Sequence, residues 1–195
     1  GFHAIWSLMH TIGLNDELTL TMQPAAASRI ALRCDQAGLA VDHTNLVYRA
    51  AELVLARVSR TIDLSISLTK RIPMGAGLGG GSSDAAATIL GLTRLLGLEW
   101  SVGQMAEVGQ QLGSDVPFFF VAPAACVTGR GEHVRPVQVT GARWIVLVNP
   151  GFPVATKWAY QQLAATRSGV CPLSSAVQQL NQRSVLDWSE LVPLV

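Results

Sequence analysis

The chain has 195 residues, 49% hydrophobic and only 14% charged, which supplies a sizeable buried core and argues against intrinsic disorder. With 14 basic and 13 acidic residues the formal net charge is +1, and no basic stripe exists, so nucleic acid is not an expected partner. The longest apolar run, Val116 to Val127, is broken by Pro117 and Pro123 and falls short of the ~18 residues of a membrane helix, so neither a membrane span nor a secretory signal is expected.

In chain order, Ile5 to Gln23 alternates loosely around a turn at Gly13-Leu14-Asn15-Asp16 and predicts a two-stranded hairpin, whose second arm is Glu17 to Met22. Arg29 to Cys34 reads as a further strand. Thr44 or Asn45 is placed to cap a helix over Leu46 to Val58, where apolar residues recur at helical spacing. Thr61 to Thr69 alternates strictly: Ile62, Leu64, Ile66 and Leu68 share one face, which predicts a strand half-buried in an antiparallel sheet. A glycine-dense loop follows, then a helix from about Ser83 to Leu96 closed by Gly97. Ser101-Val102-Gly103-Gln104 has the form of a capping box and opens a helix that ends near Gly113. Phe118 to Val127 and Val134 to Val139 read as strands joined across Thr128-Gly129-Arg130-Gly131. Trp144 to Val148 reads as a buried strand stopped at Asn149-Pro150-Gly151, and the remainder is weakly helical.

Cys34, Cys126 and Cys171 are far apart, and His3, His10, His43 and His133 form no ligand pattern, so reduced thiols and no protein-bound metal are expected. The chain opens on Gly1-Phe2-His3 without a methionine and reads as a piece of a longer protein.

The most informative stretch is Pro73-Met74-Gly75-Ala76-Gly77-Leu78-Gly79-Gly80-Gly81-Ser82-Ser83-Asp84-Ala85. Its glycines free the backbone for positive φ and for close approach to a ligand. It leads into a helix start, whose unpaired N–H groups and partial positive charge suit an anion, and Ser82 and Ser83 add hydroxyls. Strand, glycine loop and helix start in succession predict a phosphate site. The loop is not Walker A, since no lysine lies between Lys70 and Lys157. Gly75-x-Gly77-x-x-Gly80 matches the dinucleotide pattern, but the strand before it alternates and Glu99 falls between helices. No VAIK or HRD motif follows, which disfavours a protein kinase.

Pro73-x3-Gly77-Leu78-Gly79-x2-Ser82-Ser83 resembles the ATP loop of the GHMP kinases. Gly1-Phe2-His3, Asn45-Leu46-Val47, Gly113-Ser114-Asp115-Val116-Pro117, and Asn149-Pro150-Gly151 with Thr156 agree with the branch of that family acting on a cytidine-diphosphate-linked methylerythritol. The resemblance runs along the whole chain. It implies an α+β two-domain fold, with residues 1–141 as the ATP-binding domain and 142–195 as the start of a second. It further implies ATP and Mg²⁺ as cofactors, a small-molecule substrate phosphorylated on its 2-hydroxyl, and a cytoplasmic (or, in a plant, plastid) location.

Taken alone, Asp115 reads either as a turn aspartate or as a functional acid. The resemblance implies that it is the catalytic acid/base, paired in the family with a lysine upstream of the Gly-Phe-His segment. The resemblance also implies that Asn45 and Lys70 lie beside the nucleotide, although a solvated strand-end lysine is the other reading of Lys70. Phe2 and His3 are implied to hold the cytosine, with Thr156 nearby. Tyr160 is either a second stacking aromatic or an ordinary helix residue. A nucleotide-binding module without catalysis is the alternative from another class.

Overall fold

The computed structural model describes residues 5–129, 131, 133–149, 151, 158–159, 161–162, 165 and 175–191. Of the residues singled out above, Phe2, His3, Thr156 and Tyr160 lie outside the described residues, as do Gly1, Arg130, Pro150 and Cys171. The early elements are β1 (Ile5–His10), β2 (Glu17–Pro24), β3 (Arg29–Cys34), α1 (Leu46–Leu55), β4 (Ile62–Thr69), α2 (Gly80–Leu95) and α3 (Val102–Gln110). A 3₁₀ helix (Val116–Phe120) precedes β5 (Ala124–Gly129), β6 (His133–Pro136), β7 (Gln138–Thr140), α4 (Ser175–Gln182), β8 (Val185–Asp187) and α5 (Trp188–Leu191). Helices and sheets together make the fold α+β, as expected. Contacts divide the chain into two compact units that interleave along the sequence. One takes Gly13–Pro73 and Gly79–Val121; the other takes Gly1–Ile12, Met74–Leu78 and Ala122–Val195.

In the first unit β4 is the central strand of a sheet ordered β2-β4-β3. Its alternation places Leu64, Ile66 and Leu68 inside, at most 1% exposed. Burying each such side chain stabilises by about 1.5–3 kcal/mol. They meet Val47, Ala50, Ala51 and Val54 of α1 and Ala85, Ile89 and Leu92 of α2. The buried positions of α1 fall at the i, i+3, i+4, i+7 spacing of one helix face. Asn45 is the N-cap: its Oδ1 accepts the Val47 N–H at 2.8 Å. Ser101 and Gln104 form the capping box expected of α3.

Five expectations need correction. Ile5 to Gln23 is not a hairpin: β1 pairs antiparallel with β5, and β2 pairs antiparallel with β4. The residue before β2, Asp16, gives its carboxylate to backbone N–H groups after β4, so the segment does not close a tight turn. The sheet holding β4 is mixed, because β3 runs parallel to it with Arg29 opposite Asp63. A parallel neighbour needs a crossover, and α1 supplies it.

Phe118 to Phe120 is 3₁₀ helix, not strand. Pro117 offers no N–H to a sheet ladder and its fixed φ suits the first turn of a helix. Trp144 to Val148 forms no strand and is not buried: Trp144 is 102% exposed, Val146 87% and Val148 86%. Nothing among the described residues covers it. The helix expected from Ser83 begins three residues earlier, at Gly80.

In the second unit β5 lies between β1 and β6, both antiparallel to it, and β5–β6 is the hairpin expected across residues 128–131. Ala124, Cys126, Val137, Leu180, Leu186 and Leu191 form its core. Arg135 donates to the carbonyls of Asn181 (2.5 Å) and Arg183 (2.9 Å), tying β6 to the end of α4. No helix among the described residues is long and apolar enough to cross a membrane.

Candidate phosphate-binding site

Three glycines of the loop stand at positive φ: Gly75 at 66°, Gly77 at 72° and Gly79 at 70°. Only glycine occupies this region without strain. Gly79 is the N-cap of α2, and no side chain caps that helix. Asn45 on α1 and Ser101 on α3 do the opposite, each closing its helix start with a side-chain acceptor. The first N–H that turns back into α2 is that of Ser83, which donates to Gly79 O at 2.9 Å. The N–H groups of Gly80, Gly81 and Ser82 precede it and have no intrahelical acceptor. They are concentrated donors at the positive end of a helix sixteen residues long.

Space at this corner is tight. A Cβ on Gly79 would come within 3.2 Å of Phe119 Cζ, and one on Gly80 within 2.9 Å of Ile72 Cγ2. The Ser83 hydroxyl donates to Gly80 O at 2.8 Å, so its proton is engaged by the helix itself. Ser82 is the serine whose hydroxyl has no partner among the described residues.

Asp115 is the N-cap of the 3₁₀ helix but its carboxylate caps no backbone N–H; Ser114 Oγ donates to it at 3.3 Å. It is exposed, whereas Val116, Pro117 and Phe118 after it are buried. Those residues anchor a solvent-facing carboxylate on a helix packed against α2, with Phe119 beside Gly79. Asn45 is 8% exposed, and besides its cap bond its Nδ2 donates to Ala40 O at 2.6 Å. Both ends of that amide are engaged by the protein.

Lys70 is not solvated. Its side chain is 6% exposed, and Nζ donates to the carboxylates of Asp16 and, at 2.8 Å, Asp84. The sequence places Asp16 in a turn and Asp84 at the end of the glycine-rich stretch, but gives neither a site role. The legible signal was Asp84 itself, an acid on the face of an alanine-rich helix that must be paired if buried. Burial pushes the Asp84 carboxyl up to about 6, against the opposing pull of Lys70, and the nearby Asp16 charge adds to the rise. Burial acts on Asp16 in the same direction. The Ile72, Lys70 and Arg71 hydrogen bonds outweigh it, so the Asp16 carboxyl lies below its usual range. Burial alone would lower Lys70, but its two carboxylate partners hold the ammonium above its ordinary value. Among the described residues, no group of three or more His, Cys, Asp or Glu side chains converges to hold a metal ion.

The GHMP kinases N terminal domain matches residues 45–122. A 4-diphosphocytidyl-2-C-methyl-D-erythritol kinase of Geobacter metallireducens is 41% identical over 166 residues, 85% of this chain and 58% of that protein. A protein of the same name from Solibacter usitatus is 41% identical over 191 residues, 98% of this chain and 58% of that protein. A crystal structure of 4-(cytidine 5'-diphospho)-2C-methyl-D-erythritol kinase matches all of this chain with a TM-score of 0.67 and 30% identity, over 69% of its own chain. The chain belongs to the GHMP kinases. Members of this family use ATP as phosphate donor. The GHMP match begins at the α1 cap, Asn45, and ends just past the 3₁₀ helix, so it contains β4, the loop, α2 and Asp115. The chain spans 58% of the length of these curated relatives.

Proposed function

We propose that this chain carries the nucleotide-binding part of an ATP-dependent kinase that phosphorylates the 2-hydroxyl of 4-diphosphocytidyl-2-C-methyl-D-erythritol. The uncapped start of α2, headed by glycines at positive φ, is the observation that carries the reading. The N–H groups of Gly80, Gly81 and Ser82 bind phosphate oxygens. Bound ATP supplies the phosphoryl group. Mg²⁺ is proposed to enter with it, held largely by the phosphate oxygens, as is usual for this ion.

Asp115 accepts or orients the proton of the attacking hydroxyl. Its exposure and its lack of a capping bond leave the carboxylate available for that role. Charge developing on the transferred group is met by fixed N–H dipoles that need no reorganisation. Phe2, His3, Thr156 and Tyr160 are proposed to hold the cytidine end, on the resemblance alone. The division into 1–141 and 142–195 and a bacterial cytoplasmic location belong to the same reading, the location resting on the bacterial origin of the relatives.

The names of the relatives support the substrate assignment. The test is ADP release by the full-length protein with this diphosphocytidyl alcohol, set beside mevalonate and homoserine; this chain alone is expected to be inactive. Turnover with the first alone is the expected result; preference for either of the others overturns the substrate, and no ADP release with any overturns the reaction.

A further inference from the structure

Lys70, Asp16 and Asp84 form a buried charge cluster at the base of α2, with side chains 6%, 3% and 7% exposed. All three lie in the same compact unit, on three separate segments. Lys70 directly follows β4, Asp16 directly precedes β2, and Asp84 lies one turn into α2. Asp16 does more than pair with the ammonium: its Oδ1 accepts the N–H groups of Arg71 (2.6 Å) and Ile72 (2.8 Å). It therefore fixes the backbone where β4 runs out towards the loop. Lys70 then reaches from that fixed backbone to Asp84, and a Cβ on Gly80 would stand 3.3 Å from its Nζ.

The start of α2 has no cap side chain, and the Ser83 hydroxyl turns back into the helix. Among the described residues, the Lys70–Asp84 bond is the ion pair that joins α2 to the strand exit. Burying three charges is a poor route to stability alone, since apolar residues of similar volume do as well. What an ion-paired cluster offers is one defined geometry, here beside N–H groups whose direction matters.

We propose that Asp16, Lys70 and Asp84 act as a clamp that positions the phosphate-binding turn of α2, so that Lys70 serves the nucleotide through the helix and not by touching it. The inference rests on the reading of the α2 start as the phosphate site. Two of the three ammonium donors are engaged by carboxylates and almost none of the side chain is open to solvent, so one donor with little opening is all that direct contact with a phosphate could use.

The two roles of Lys70 predict opposite signs for one substitution. If the ammonium contacted phosphate, Asp84→Ala would release it from a competitor and ATP affinity would hold or rise. A clamp predicts that Asp84→Ala weakens ATP, by about tenfold, and that Lys70→Met does the same. Asp84→Asn, which keeps the shape and an acceptor for Lys70, restores affinity to within about threefold. Titration calorimetry with ATP and magnesium on this chain reads all of these. Val54→Ala, a core truncation on α1 away from the cluster, is the control for general loss of stability, and it binds ATP as the unsubstituted chain does. Unchanged or tighter ATP binding by Asp84→Ala overturns the clamp, as does equal weakening by Val54→Ala. If the unsubstituted chain binds no ATP, the phosphate reading fails and the clamp with it. If that chain binds ATP and Lys70→Met binds equally well, the clamp alone fails.

Discussion

At Gly79 two independent constraints meet: a φ of 70° and a Phe119 ring that would lie 3.2 Å from any added Cβ. Alanine there is strained by both, and valine adds branching that further restricts the backbone. Gly79→Val is expected to abolish measurable ATP binding in calorimetry while the far-ultraviolet dichroism stays that of a folded chain; retained affinity would place the phosphates elsewhere. Asp115 is a question of rate. In the full-length enzyme, Asp115→Asn is expected to lower turnover by roughly 100-fold or more, the usual effect of losing a general base, with ATP affinity nearly unchanged. Turnover within a few-fold of normal would reduce Asp115 to a turn residue. Asp84 has a pH signature of its own. Its carboxyl is raised from 3.8 to about 6 on folding, so the folded state favours the protonated form. Its contribution to stability is present at low pH and declines as pH rises from 3.8 through about 6. The urea midpoint of the native chain is therefore expected to fall relative to that of Asp84→Asn over this interval, and parallel profiles would refute the assignment. The glycine loop and the helix it opens were legible in the sequence because their meaning is local: a backbone conformation, a helix start. The pairing of Lys70 with Asp16 and Asp84 was not, because it joins residues 54 and 14 positions apart and depends on the packing of three segments.

Elements with a strong period of their own were read correctly, and those defined by a distant partner were not. β4 and α1 carry alternation and helical spacing within single segments, and Ser101 with Gln104 encodes the start of α3 in four residues. The first strand pair failed for the opposite reason. β1 and β2 both look like arms of a hairpin, yet their partners lie far along the chain, at β5 and β4. Phe118 to Phe120 failed because composition favours a strand, while Pro117 just before it suits the first turn of a helix. The contrast among helix starts is the more useful result at this scale. α1 and α3 are capped for stability and α2 is left open. Removing a cap that serves only folding should therefore leave ligand binding alone. Ser101→Ala is expected to lower stability by about 1 kcal/mol in urea denaturation, with ATP affinity unaltered. A change in affinity would mean that α3 communicates with the phosphate turn.

Across the molecule, the apolar run after β7 is the feature that composition misjudged most. Trp144-Ile145-Val146-Leu147-Val148 has the residues of a core strand, yet all five are exposed, from 46% at Leu147 to 102% at Trp144. Sequence patterning reports that such a run wants to be buried; it does not say that a partner surface lies within reach. An exposed segment of high β-propensity without charge or proline is a template for intermolecular pairing. Its five consecutive apolar side chains also form a patch that favours association. The chain is therefore expected to self-associate as its concentration rises, seen as an increase in weight-average mass by light scattering. Val146→Lys combined with Val148→Lys places two like charges on the run, which opposes stacking of copies in register. Both positions point into solvent, at 87% and 86% exposure, so the pair should leave the fold intact and its thermal midpoint close to that of the parent. Light scattering of the double variant should then report a monomer over the range in which the parent associates. If the parent is itself monomeric throughout, or if the charged variant associates to the same extent, the run is not the adhesive surface.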